Sequence, residues 1–211
     1  AGPRRHSRAA PRGRRRDRPG GRGRRPAAIH PVRHGHLQCV QLLLEASAAI
    51  NQASSDGITP LYIACRNNHP EIPRLLIEAG AAVDQAADGG FSPLYMACQK
   101  GHLEIVRVLV EASAAVDQAN TRGTTPVYSA CQEGHVDSAR LLLEAGVAMD
   151  QADEDGVTPL FMACQQGQLE CAQLLRDPGA DSHHARNGGA TPVFMACQQG
   201  QLECVRLLLE A

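Results

Sequence analysis

Apolar and polar positions alternate in a double pattern along most of the chain. In "SPLYMACQKGHLEIVRVLVEA", Ser92 to Ala112, the residues Leu94, Ala97 and Cys98 fall at i, i+3 and i+4, one stripe of a short helix. After Gly101, Leu103 to Ala112 predicts a second helix with Val106, Leu109 and Val110 on its buried side. Glu104, Arg107 and Glu111 take the opposite stripe. Ser92 is an N-cap, because its hydroxyl can accept an orphan backbone N–H, and Pro93 follows at the position where a missing N–H costs nothing. Gly101 suits the left-handed conformation of a C-terminal cap. The stretch from "AVDQA" to Gly123 is short, polar and glycine-bearing, which predicts an extended turn or hairpin.

The same helical pair is written again 33 residues earlier, "TPLYIACRNNHPEIPRLLIEA", and 33 residues later, "TPVYSACQEGHVDSARLLLEA". Cys65, Cys98, Cys131, Cys164 and Cys197 keep the step, as do Pro60, Pro93, Pro126, Pro159 and Pro192, so no insertion interrupts the series. A fixed period of this size signals stacked units, none of which can bury its apolar face alone. The units run over residues 58–90, 91–123, 124–156 and 157–189, with a degenerate first unit at 26–57 and a truncated last one at 190–211. Residues 1–25 form a separate Arg/Gly/Pro-rich tail.

With these motifs in place, the chain resembles the ankyrin repeat family, whose signature is T-P-L-H-x-A at a 33-residue period. The resemblance covers residues 26–211 as about five and a half units. It implies an all-α repeat solenoid of stacked helix-turn-helix units with hairpin-like turns between them. It also implies a non-catalytic protein-interaction scaffold. One departure is systematic: the family's His after T-P-L is Tyr62, Tyr95, Tyr128, Phe161 and Phe194 here, which removes the hydrogen bonds made through that His.

Charge changes the picture at the N-terminus. Residues 1–26 hold 11 Arg and one acid, Asp17, whereas the remainder holds 10 basic and 21 acidic residues. The tail has almost nothing apolar to bury and is expected to be disordered. Its arginines suit phosphate, so nucleic acid binding or nuclear import through this tail is one reading. An extension without a selected role is another, and a transit peptide is disfavoured by scarce serine. The absence of an initiating Met and the ending inside a unit both read as a fragment.

The chain has no run of 18 or more apolar residues, so no membrane segment is expected. The eight cysteines pose a different question. Helices of neighbouring units lie about 8–10 Å apart, and a disulfide needs Cα atoms about 4.4–6.8 Å apart. The in-register cysteines are therefore expected to be small packing residues, as are Cys39, Cys171 and Cys204 in the register of Ile72 and Ile105. A reducing cytoplasmic or nuclear setting follows.

No catalytic residue, cofactor site or metal site stands out. The one break in pattern, "LRDPGADSHHARNGG", brings His183 and His184 near Asp181 but lacks a ligand spacing. It reads as a drifted turn in which Pro178 clips the second helix. His36, His69, His102 and His135, with Gln168 and Gln201 later, resemble the family's helix-to-turn ties. The Glu/Arg stripes read as solvated faces.

Resemblance to the family implies binding through turn tips and the exposed edge of the first helix. Variation between copies falls there, at tip residues Asp56, Ile58, Asp88, Phe91, Thr121, Arg122, Thr124, Glu154, Asp155, Val157 and Asn187. The edge residues are Arg66, Asn67, Gln99, Lys100, Gln132, Glu133, Gln165, Gln166, Gln198 and Gln199. Tyr95 and Tyr128 join the set if the aromatic ladder anchors a peptide; packing between neighbouring first helices is the preferred reading of that ladder. Phe91, at a variable tip, is the strongest single hot-spot candidate. The expected partner is a protein offering a basic or amphipathic segment to a monomeric array. The alternative is a targeting arm of a larger enzyme or nucleic-acid-binding factor.

Overall fold

Twelve helices follow one another among the described residues, 26–210, of the computed structural model. The degenerate first unit supplies α1 (Ile29–Arg33) and α2 (Leu37–Glu45), and the next supplies α3 (Pro60–Asn67) and α4 (Glu71–Glu78). Then come α5 (Pro93–Gln99) with α6 (Leu103–Glu111), and α7 (Pro126–Glu133) with α8 (Val136–Glu144). The last four are α9 (Pro159–Gln166), α10 (Leu169–Arg176), α11 (Pro192–Gln198) and α12 (Leu202–Leu209). First helices pack behind one another in one row and second helices in another. This is the helical solenoid that the 33-residue period predicts.

Local chemistry sets the ends of each helix. Thr59, Ser92, Thr125, Thr158 and Thr191 accept the backbone N–H three residues on, at 3.1 to 3.4 Å. Asn68, Gly134 and Gly167 end their helices in the left-handed region. Pro178 does shorten its unit: α10 stops at Arg176, one residue before the equivalents of Glu111 and Glu144.

Between units the chain makes a hairpin-like turn closed by one backbone bond, such as Ala87 N–H to Phe91 O at 3.0 Å and Asn120 N–H to Thr124 O at 3.0 Å. Each tip also bonds to the previous one: Thr121 N–H donates to Gly89 O and Glu154 N–H to Arg122 O, both at 2.9 Å. This close approach needs glycine at Gly90, where φ is +79° and a Cβ would sit 2.9 Å from Thr121 N. Beyond the second helix the side chains of Asn51, Asp84, Asp117 and Asp150 each accept a backbone N–H of the next unit, at 2.8 to 3.1 Å. Sequence reasoning did not single out these four.

One apolar core runs the length of the array, from Ile29 through Ile72, Ile105, Leu142 and Leu175 to Leu208. Ala64, Ala97, Ala130, Ala163 and Ala196 are all fully buried. In the second helix Val106 and Leu109 are buried as expected, but Val110 is only partly so, and Ile105 and Val108 complete that face. Two cysteines depart from the expected packing role: Cys39 and Cys197 are exposed, and among the described residues each lies in a unit with a neighbouring unit on one side only. No helix among the described residues is long and apolar enough to cross a membrane. The expected disorder of residues 1–25 lies outside the described residues.

Candidate interaction surface

Tips and first-helix ends form one continuous edge. Asp56, Asp88, Thr121, Arg122, Glu154 and Asp155 are exposed at the tips, and Lys100, Glu133 and Gln166 at the helix ends. Arg66, Asn67, Gln99, Gln132 and Gln165 are partly exposed beside them. Arg122 Nε lies 3.3 Å from Glu154 Oε1, with all three tip charges more than half exposed, so this pair adds little stability.

Histidines hold the helix ends in place. Nε2 of His69, His102 and His135 donates to the backbone carbonyls of Arg33, Arg66 and Gln99, at 3.1, 3.3 and 3.2 Å. A carbonyl only accepts, so each ring carries its proton on that nitrogen. Gln168 reaches Gln132 O in the same way at 3.5 Å. The tie thus runs from one unit to the preceding one, fixing the ends where Arg66, Gln99 and Gln132 project. Asn67 adds a further bond of this kind to Arg33 O, at 2.9 Å.

Four predicted contact residues are withdrawn from this edge. Tyr95, Thr124, Tyr128 and Val157 are 5, 7, 4 and 6 % exposed, covered by the array itself. The Thr124 hydroxyl donates to Tyr95 OH at 3.2 Å, and Tyr128 OH donates to Asp153 Oδ2 at 3.2 Å. Burial, and then the Asp153 carboxylate, push the Tyr128 phenol well above its ordinary range, so it stays a donor. The ladder therefore packs first helices together. It does so in two groups, Tyr62 and Tyr95 with Met96, and Tyr128 and Phe161 with Met195. Between the groups stands Ser129, fully buried and without a protein hydrogen-bond partner, where other copies have Ile63, Met96, Met162 and Met195.

Phe91 and Ile58 are intermediate cases, partly buried against the first aromatic group. The Phe91 ring meets Tyr95 edge-on at 5.1 Å between centroids. The side chain is thus partly exposed and partly spent on packing.

The acid excess lies elsewhere. The exposed tips and edge carry five acidic and three basic residues (Asp56, Asp88, Glu133, Glu154, Asp155 against Arg66, Lys100, Arg122). Most of the remaining acids stand on the second helices, as in Glu71, Glu104, Asp137, Glu170 and Glu203, or at the unit junctions. The back also bears an open groove of about 450 Å³, lined by Leu37, Pro70, Leu75 and Val108 with Glu71, Arg74 and Glu104 at its rim.

Among the described residues no group of three or more His, Cys, Asp or Glu side chains is arranged to hold a metal ion. Asp181 Oδ1 instead accepts the His183 N–H at 2.9 Å, and His183 Nδ1 lies 3.1 Å from Ser182 Oγ, within the turn.

Comparison with known proteins agrees with this geometry. The family model described as ankyrin repeats matches three overlapping stretches, residues 27–120, 112–186 and 147–211. No curated protein matches the chain.

Proposed function

Because the chain belongs to the ankyrin repeat family, we propose that it is a non-catalytic scaffold that binds a segment of a partner protein along its tips and first-helix edge. Repeats of this family are protein-interaction modules. What supports the edge here is one contrast: side chains that differ between copies point outward along it, while the invariant alanines behind them are fully buried.

The amides of Gln99, Gln132, Gln165 and Gln166 dominate the later helix ends, so recognition rests on hydrogen bonds and on apolar contact at Phe91 and Ile58. The array's acidic surplus acts mainly from the second helices and the unit junctions together. Such charges draw a basic segment toward the molecule, an effect screened beyond a Debye length of about 8 Å at physiological salt. The partner is therefore an amphipathic segment, its basic residues governing capture rate more than residence. The array works as a monomer in the cytoplasm or nucleus.

A displayed peptide library tests this reading. Peptides selected on the native array should lose binding to a Phe91→Ala, Lys100→Ala, Glu133→Ala variant and keep it on a Glu104→Ala, Arg107→Ala, Glu111→Ala variant. Retention by the first and loss by the second would move the interface to the back.

A further inference from the structure

The back of the array carries an opening that the tip edge does not use. Its groove of about 450 Å³ crosses α2, α4 and α6, with Leu37, Pro70, Leu75 and Val108 as apolar lining. Glu71 and Glu104 stand in it at the same place in successive units, and Arg74 is the single base beside them. Both carboxylates are exposed, and among the described residues neither takes part in an ion pair. An apolar floor between two unpaired anions suits a short apolar stretch with a cation at each end. The next groove, between α6 and α8, is different. Arg107 and Arg140 line it with Asp137 and Glu144, so its charges cancel.

The chain itself contains such a stretch. In residues 1–25, Ala9, Ala10 and Pro11 are the one run of three apolar residues without glycine, and Arg8 and Arg12 flank it. Four residues in extended form span about 13 Å, and Glu71 and Glu104 lie on neighbouring helices about 8–10 Å apart. Arginine stems cover the difference, since they lie along apolar surface while their heads reach a carboxylate. The tether is long enough. Arg12 precedes Pro26, where the described fold begins, by 14 residues, a reach of at most about 50 Å. Passing from α1 to α6 crosses three helix spacings, about 30 Å in all. Charge favours the contact over a longer range. Residues 1–26 hold 11 Arg and one acid, while on α4, α6 and α8 each Arg stands between two acids.

We propose that this groove binds the chain's own N-terminal segment, with Ala9–Pro11 on the apolar lining and Arg8 and Arg12 paired to Glu71 and Glu104. Docking withholds these arginines from phosphate-bearing molecules and straps the segment along the back, clear of the tips. It does not depend on which partner the tips bind.

The test uses the full chain. Cys39 lies on α2, two residues from Leu37, and is exposed, so it carries a nitroxide beside the groove once Cys197→Ser removes the other exposed thiol. At low salt the amide signals of Arg8, Ala9, Ala10 and Arg12 should lose more intensity to the label than those of Gly20 and Gly21, which are nearer the fold along the chain. An undocked segment gives the opposite order, with loss falling steadily away from Pro26. Glu71→Gln with Glu104→Gln should remove the maximum, and so should salt near about 1 M, where the Debye length is about 3 Å. Asp88→Asn with Glu133→Gln takes the same charge from the tip edge and should leave the maximum in place. All four acids are exposed, so both variants keep the fold, which the core amide signals report. A steady fall toward residue 1, or equal loss in the tip variant, would overturn the proposal. So would a maximum that arises when isotope-labelled chain is mixed with nitroxide-bearing unlabelled chain, since that would put the segment on a second copy.

Discussion

Phe161 and Phe194 hold the same place in successive units, yet the first is fully buried and the second is 57 % exposed. Their local settings match: each N–H donates to a Thr cap, at 3.2 and 3.4 Å, three residues into a helix that begins with Pro. The difference comes from the neighbour. Met195 of the next unit packs into the group that holds Phe161, whereas no later unit among the described residues covers Phe194. Cys164 and Cys197 repeat the contrast. A unit's own residues thus specify its helices, and the adjoining unit supplies its core.

The largest test of this comparison is truncation at the two aromatic sites. Phe161→Ala should cost about 3–5 kcal/mol, since it opens a cavity at a fully packed position. Phe194→Ala, removing a ring already more than half in water, should cost under about 1 kcal/mol. Urea unfolding of the two variants beside the native chain measures both. Equal losses would show that burial here is a property of the single unit. Native-state hydrogen exchange sharpens the point, because amides of α11 and α12 should exchange before those of α7 and α9.

A smaller effect is expected where units are joined by side chains. Asp117 Oδ1 accepts Ala148 N–H at 2.8 Å, as Asp84 does for Ala115 at 2.9 Å. Asp117→Ala leaves that N–H without its charged acceptor at an exposed site, and should cost about 1–2 kcal/mol. His183 falls in the same register at the last described junction and bonds within its own turn. His183→Ala should stay within about 0.5 kcal/mol. Matching thermal shifts for the two would remove the distinction between inner and outer junctions.

These cases also mark what could be read from sequence. The period, the Thr-Pro starts and the cap positions were legible because each is decided within a few residues. So was the packing role of the aromatic ladder, since five in-phase copies share one place in the helix. The withdrawal of Thr124 and Val157 from the edge was not legible, because a neighbouring unit hides them. The junction role of Asp84, Asp117 and Asp150 escaped notice for a related reason: an Asp in "VDQA" looks solvated until the next unit's backbone arrives. A recurring acid before a turn was the signal that could have revealed it. Charge misled differently. A net count places the acidic surplus on the array but not on a face, and its spread over the second helices and unit junctions, away from the tips, required the structure.

The last and smallest effect concerns how inner units hold their first-helix ends. His102 donates from Nε2 to Arg66 O at 3.3 Å, while partial burial, then nearby His135 and Lys100, lower its pKa below the ordinary value, against the opposing pull of that carbonyl. The folded array therefore binds this proton more weakly than the unfolded chain. The contribution of the neutral ring is complete above about pH 6.5, the unfolded value, and is lost as pH falls through the lower folded value. Gln168 makes the equivalent bond with a side chain that does not titrate. His102→Gln should accordingly leave the urea midpoint near pH 8 almost unchanged and flatten its decline toward about pH 5. The native slope persisting in the variant would assign that decline to other groups, and the ties would then be mechanical only, indifferent to whether imidazole or amide makes them.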